Sequence, residues 1–297
     1  MSLPPSKPFH PSLQKAHRTI LHLLLARPSS PPLNLTTLSH FMSSASGLDK
    51  SLMVIQYPAK IIVALLVALA ARLARSSNGG KMGAVTSLRW AARFKALSSS
   101  IGDARTMMRL LGIIPVLASL PAVFSAHADP TTSLINIAQT VSLLIYYPLE
   151  NTSYLSSKGV IPLSPHREAA WSTWSCRYWA AYVVLDVWRL ARQRGEMQRK
   201  GRAVRMRMDG GEKDVGADVE ALRREKVGWM EEVVVNVGYA PLTIHWSLPN
   251  GAWSNEASAF SHPSGFPLTF TLQVWTGVFG TIACLAGIRA KWRNMSP

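Results

Sequence analysis

The chain has 297 residues, of which 48% are apolar and 16% are charged, whereas roughly 25% of an ordinary soluble domain is charged. Its 32 lysines and arginines outnumber 16 aspartates and glutamates, so the formal net charge is +16. The high apolar content excludes a disordered chain, and two cysteines are too few for a disulfide-rich scaffold. The low total charge argues against a nucleic-acid-binding protein. Sparse positive charge on an apolar chain is typical of a protein that lies against an anionic membrane.

Residues 1–40 form a Pro-rich, basic segment, which we expect to be a poorly ordered arm. No acidic residue occurs before Asp49, and several serines accompany the basic residues. A cleavable organelle-targeting peptide has the same composition, so the sequence leaves a mobile arm and a targeting peptide open as alternatives.

Residues 41–109 are predicted to form amphipathic basic helices. In the first of these, which begins near Gly47, the charged and polar residues fall in one arc and the other positions are mostly apolar. Such a helix either inserts into a membrane interface or packs on a protein core, and both alternatives stay open. The candidate membrane-inserting residues are Asp49, Lys50, Leu52, Ile55, Tyr57, Lys60, Ile61, Arg72 and Arg75. The second basic stretch contains Arg89, Arg93, Arg105 and Arg109.

Residues 110–190 are predicted to form a hydrophobic hairpin and then an aromatic-rich helix. The uncharged runs Leu110–Ala128 and Pro130–Leu149 are close to the length that crosses hydrocarbon as a helix, although a buried helix pair would look the same. Between 171 and 190, four aromatic residues share one helix face: Trp171, Trp174, Tyr178 and Tyr182. Such a face suits a membrane interface, stacking on bases or a protein core.

Residues 191–228 are the most charged part of the chain and are predicted to be a cytosolic loop with weak order. Residues 229–297 are predicted to form C-terminal helices, with a transmembrane span at about 268–288 and a basic tail. A helix of that length is about 31 Å long, against roughly 30 Å of hydrocarbon. Gly277 and Gly280 are predicted to let a neighbouring helix approach closely.

The sequence shows none of the patterns that commonly mark catalytic or metal sites. The eight histidines and two cysteines lack metal-ligand spacing. The Gly79-Gly80-Lys81 sequence is not a phosphate-binding loop, and no nucleophile elbow occurs. We therefore predict that the protein is not an enzyme and that it binds no metal and no cofactor.

Three groups of short motifs occur in order along the chain. The first group is Gly-Leu-Asp-Lys at 47–50 with Gln-Tyr-Pro-Ala-Lys at 56–60. The second is Asp-Ala-Arg-Thr at 103–106 with Arg-Leu-Leu-Gly at 109–112. The third is Tyr-Tyr-Pro-Leu-Glu at 146–150 and Tyr-Leu at 154–155, with Ala-Pro-Leu-Thr-Ile-His-Trp-Ser at 240–247. As an ordered set, these motifs resemble those of the peroxin-11 family, the peroxisomal membrane-elongation and fission factors, and in particular its fungal C-type branch.

The resemblance implies an integral peroxisomal membrane protein, with two or more crossings and with its termini in the cytosol. It also implies that an amphipathic helix inserts into the cytosolic leaflet, and that the protein self-associates and recruits fission machinery. Peroxisome elongation, proliferation and fission would be the result. The physics agrees, because a helix that lies 5–10 Å deep in one leaflet expands that leaflet and favours curvature.

The expected fold is therefore all-α: a membrane-associated helical bundle with amphipathic helices and a C-terminal transmembrane helix. The expected partners are an anionic phospholipid membrane and further copies of the chain, and we expect no nucleic acid. One alternative is an organelle-membrane channel or carrier for small metabolites, which would use Asn136 and Gln139 in the 110–149 hairpin as a polar path. A basic, soluble nucleic-acid binder is the other alternative.

Overall fold

The fold is all-α over the part of the chain that can be described, as the sequence predicts. The computed structural model describes residues 33–75, 80–125, 129–212, 214–249, 251–252 and 268–295, with backbone alone at 268–272. Within these ranges it contains eight α-helices and no strand. The helices are α1 (Leu35–Ser43), α2 (Ala45–Arg75), α3 (Gly80–Met108), α4 (Ile113–Ser125), α5 (Pro130–Ser157), α6 (Pro165–Asp209), α7 (Gly216–Ser247) and α8 (Leu268–Arg293). A 3₁₀ turn, Arg109–Leu111, joins α3 to α4.

The long helices form an up-and-down bundle in which sequence neighbours pack against each other. The helix pairs with extensive contact are α2 with α3, α5 with α6, α6 with α7, and α7 with α8. The last helix, α8, also packs along α2, so it joins the N-terminal helices to the C-terminal ones. Helix α4 packs on α5.

Local sequence signals explain where several helices begin. The Asn34 side chain accepts a hydrogen bond of 2.7 Å from the Thr37 backbone N–H, which caps α1. Asp129 and Ser164 cap α5 and α6 in the same way, and proline occupies the first helical position in both. Proline is favoured there because the first turn of a helix does not use its own N–H groups.

The structure corrects the loop predicted at 191–228, because 191–209 and 216–228 are helical. Helix α6 continues to Asp209, and α7 begins at Gly216. The prediction gave too much weight to charge, because Arg, Lys, Glu and Met are all good helix formers. Some of these charges form ion pairs between the two helices, such as Lys200 with Glu225 at 2.9 Å.

The predicted N-terminal arm is also corrected at its end, because α1 already begins at Leu35. The rest of the arm, residues 1–32, lies outside the described residues. Further along the chain, the hydrophobic hairpin corresponds to α4 and the first part of α5, and the aromatic-rich stretch lies within α6.

The C-terminal span predicted at 268–288 lies within α8, but α8 packs inward. Its small residues Ala283, Cys284 and Ala286 are buried against α2 and α7. Within the described residues, α2 is long and apolar enough to cross a membrane. Helices α3 and α4 meet at a bend of 43°, and together they would be a second candidate span if one membrane crossing includes that bend. The crossing of a membrane by α8 stays a prediction.

Candidate membrane-facing surface

Helix α2 presents apolar side chains to its surroundings along most of its length. Five large side chains are exposed, and we call them the outer face of α2: Val54, Ile55, Ile62, Leu65 and Leu69. Four of the five, from Ile55 to Leu69, follow the three-, four- and seven-residue spacing of a single helical stripe. A contiguous apolar stripe that no part of the described chain covers is typical of a surface that contacts a membrane or a partner.

Two polar residues of α2, Asp49 and Gln56, point the other way, into the bundle. The Arg105 Nε of α3 donates to Asp49 Oδ1 at 2.7 Å, and Arg105 Nη1 donates to Gln56 Oε1 at 2.6 Å. The Gln56 side chain also donates to the Ser98 carbonyl at 3.3 Å. Gln56 and Arg105 are buried, so this network holds α2 to α3 through polar groups removed from solvent.

The predicted inserting residues therefore divide among three environments. Ile55, Arg72 and Arg75 are exposed, and the two arginines end the apolar stripe. Asp49 and the buried Tyr57 face the protein. The others are half-buried: Lys50, Leu52, Lys60 and Ile61. Asp49, Gln56 and Tyr57 thus pack on protein, as one alternative has it, and insertion of the exposed apolar residues into a membrane stays a prediction.

Glycines of α8 allow α2 to lie close to that helix. A Cβ on Gly280 would overlap the ring of Tyr57, and a Cβ on Gly277 would lie 2.5 Å from Ile61 Cγ1 and 3.0 Å from the Tyr57 carbonyl oxygen. Both glycines were predicted to serve helix packing, and the structure shows that the neighbour they contact is α2. Close helix approach at small residues is common in membrane proteins.

The second basic stretch separates into an exposed and an inward-facing part. Arg89 and Arg93 are exposed on α3, and the Arg93 guanidinium lies 4.8 Å from the centre of the Trp90 ring. Arg109, like Arg105, turns inward and forms two hydrogen bonds with the Glu150 carboxylate of α5, at 2.7 and 2.9 Å. This paired geometry fixes the junction of α3 and α4 on α5.

A second polar cluster joins α5, α6 and α7 around Asp186. Its carboxylate accepts hydrogen bonds from Gln139 at 3.1 Å, Asn236 at 2.7 Å and Arg189 at 2.8 Å. Burial favours a lower pKa for the Arg189 guanidinium, but its hydrogen bonds to Asp186 and Glu232 raise that pKa above the ordinary value. Because Gln139 is engaged in helix packing, it does not provide the free polar path that a channel needs.

Gln139 was predicted from the sequence, but its partner Asp186 was missed, and so was Asn236, which donates to the same carboxylate. Also missed was Glu231, which is buried in α7 and contacts Arg289 at 3.1 Å and Arg293 at 2.9 Å in α8. A useful signal was available for Asp186, because a single acidic residue inside an apolar and aromatic stretch of helix is expensive to bury and usually marks a paired, inward-facing site.

A basic cleft of about 310 Å³ lies between α2, α3 and α8. Lys60 and Lys95 line it from facing helices, together with polar side chains that include Gln273 and Ser99. Asp103 also lines the cleft, but its carboxylate is paired with Lys158 at 2.8 Å. The cleft is thus positively charged and large enough for a phosphate group. In the described ranges, no group of three His, Cys, Asp or Glu residues is placed to hold a metal ion.

Helix α4 carries a further apolar surface. None of its residues is buried, and Ile114, Leu117 and Phe124 are among its exposed side chains.

Buried ion pairs and amides thus lie inside a bundle whose outer side chains are often large and apolar. A water-soluble bundle has the opposite arrangement, with its polar groups outside.

An all-α bundle with this distribution of polar and apolar groups has the character of a membrane protein. The sequence model of the family described as Peroxisomal biogenesis factor 11 (PEX11) matches residues 35–238, which is more than half of the chain. The chain belongs to this family, as its motifs predict. The family indicates a peroxisomal membrane protein.

One similar protein comes from the fission yeast Schizosaccharomyces pombe and is described as uncharacterized. It is 25% identical over 156 residues, which cover 52% of this chain and 63% of the yeast protein. The chain therefore spans less than two thirds of the length of that relative. No solved structure matches the chain.

Proposed function

We propose that this protein promotes the elongation, proliferation and fission of peroxisomes by inserting the outer face of α2 into the cytosolic leaflet and by self-associating. The observation that carries the proposal is the orientation of α2, whose outer face is exposed while Asp49 and Gln56 bind Arg105 of α3. The channel or carrier alternative is not favoured, because the family acts in peroxisome biogenesis.

The dimensions of the outer face support insertion from one side of the membrane. From Ile55 to Leu69 the stripe is about 21 Å long, which is shorter than the roughly 30 Å of hydrocarbon in a bilayer. A helix embedded in one leaflet increases the area of that leaflet relative to the other, and the membrane bends to accommodate the difference. The contacts with α3 and α8 hold α2 as one side of a rigid bundle.

Positive charge next to the outer face supports attachment to an anionic surface. Arg72 and Arg75 follow the stripe directly, and each basic residue near such a surface contributes about 1 kcal/mol. Self-association would add curvature, since many tethered copies act at high effective concentration. Termini on the cytosolic side and recruitment of fission machinery are parts of the same proposal.

A Leu65→Glu variant tests the role of the outer face. Leu65 is 59% exposed, so the substitution leaves the packing of the bundle intact, but it places a charge where the proposal places lipid. The expected loss is roughly 3 kcal/mol of membrane insertion, the order found for a charge inside a bilayer. Overproduction of the unchanged protein should elongate or cluster peroxisomes, and overproduction of the variant should not. The measurement is microscopy of tagged protein with a peroxisomal marker.

The matched control is Met206→Glu, which also places a charge at an exposed apolar side chain, 69% exposed, but on α6 far from the outer face. It should elongate peroxisomes as the unchanged protein does. If Leu65→Glu elongates peroxisomes as well as Met206→Glu does at equal abundance, the outer face does not insert and the proposed mechanism is wrong.

A further inference from the structure

The ends of α6 and α7 form a two-helix hairpin that extends beyond the rest of the bundle. Helix α5 begins level with Arg192, which pairs with Asp129 at 2.8 Å. Helix α8 ends level with Gly228 and Glu231, both of which lie close to Arg293. The residues beyond these contacts, 193–209 and 216–227, therefore pack chiefly on each other. We call this part of the fold the α6–α7 hairpin.

One side of the hairpin carries an apolar groove with a volume of about 870 Å³. Its floor consists of Met197, Val204 and Met208 from α6 with Leu222, Trp229 and Met230 from α7. On each helix these residues recur at helical spacing, as they do along the seam of a bundle. Two helices supply such a seam with two sides, and a third helix would complete it. Methionine suits a surface that adapts to a partner.

The rim of the groove is strongly basic. Arg194, Arg202, Arg205 and Lys226 line it, and no ion pair to any of the four is formed within the part of the chain that the structure describes. Other cations of the hairpin do have acidic partners. Arg207 pairs with Glu212 and Asp218, and Lys200 pairs with Glu225. These three acidic residues therefore pair with cations that do not line the groove, and its rim stays positive.

We infer that this groove binds an acidic, amphipathic helix of a partner protein. The apolar face of that helix would lie on the methionine and tryptophan floor, and carboxylates along its edges would pair with the four rim cations. A second copy of the chain fits poorly, because each copy carries a net charge of +16 and the same basic rim. A lipid surface fits poorly too, because the apolar residues line a concave groove between helices rather than a protruding face.

The test uses the full chain in detergent micelles and two fluorescent synthetic helical peptides. Both peptides carry leucine at helical spacing, and they differ only in having glutamate or lysine beside the leucine stripe. The glutamate peptide should bind, more weakly as salt is raised, and the lysine peptide should not. In an Arg202→Glu, Arg205→Glu double variant, the affinity for the glutamate peptide should fall about tenfold or more, because two charge-assisted contacts are lost.

The matched control is an Arg199→Glu, Arg223→Glu double variant, which changes the net charge equally at two exposed hairpin cations that do not line the groove. It should bind the glutamate peptide nearly as well as the unchanged chain. The inference is overturned if the glutamate peptide does not bind the unchanged chain, or if both double variants weaken binding equally. It is also overturned if the Arg202 and Arg205 substitutions reduce binding to phosphatidylserine vesicles but not to the peptide.

Discussion

A Gly280→Leu variant is expected not to accumulate as folded protein. Even a Cβ at this position would overlap the ring of Tyr57, which is buried and belongs to the small cluster formed with Met53 and Cys284. The ring has little room to move, because the Arg105 guanidinium lies 5.6 Å from its centre. The leucine would therefore push α8 away from α2.

The expected cost is about 3 kcal/mol or more, the upper end of the range for overpacking a core. The measurement is the amount of protein in peroxisomal membranes and its elution as a single species after detergent extraction. Gly195→Leu is the matched control, since a Cβ at Gly195 meets nothing within 4 Å and leucine favours a helix more than glycine does. Equal accumulation of the two variants would show that α8 does not pack on α2 as the structure has it.

An Asp186→Leu variant is expected to lose about 3–5 kcal/mol of stability, the order found when one partner of a buried charged network is removed. Its carboxylate is the shared acceptor for Gln139, Asn236 and Arg189. Gln139 and Asn236 are buried, so these amides would lose a hydrogen bond that water cannot easily replace. The contacts among α5, α6 and α7 should weaken together.

The fall in unfolding temperature of the detergent-solubilised protein measures this loss. The control is Asp103→Leu, which removes another aspartate in an ion pair, to Lys158, but one whose side chain is 55% exposed. Exposed pairs of this kind contribute little to stability because water screens the two charges, so the control should unfold near the temperature of the unchanged chain. If the two variants unfold at the same temperature, Asp186 is not the buried acceptor that joins these three helices.

The sequence was sufficient for the fold class and the family, because both depend on local patterns. Helical periodicity predicted α2, and the motifs around Gly47 and Gln56 indicated the family that the comparison confirms. The orientation of α2 was not predictable in the same way. It depends on Arg105, whose partners Asp49 and Gln56 are 56 and 49 residues distant in sequence. Periodicity along one helix does not contain that information.

Two further features show the same limit. Gly280 was identified as a packing residue, but its neighbour, the Tyr57 ring, follows only from the return of α8 to α2. The hairpin of α6 and α7 was predicted to be a loop because the charges of each segment were assumed to face solvent rather than to pair with charges of the other segment. The ion pair between Lys200 and Glu225 forms only when the two segments lie side by side.

The most direct test of the account is the depth of α2 in a membrane. The full chain, with Cys176→Ser and Cys284→Ala, would carry one nitroxide label at Leu65→Cys or at Met206→Cys and would be reconstituted in anionic liposomes. If the outer face of α2 contacts lipid, the label at 65 should be relaxed mainly by oxygen dissolved in the bilayer, and the label at 206 mainly by a water-soluble nickel chelate. A label at 65 as accessible to the nickel chelate as the label at 206 would contradict the account.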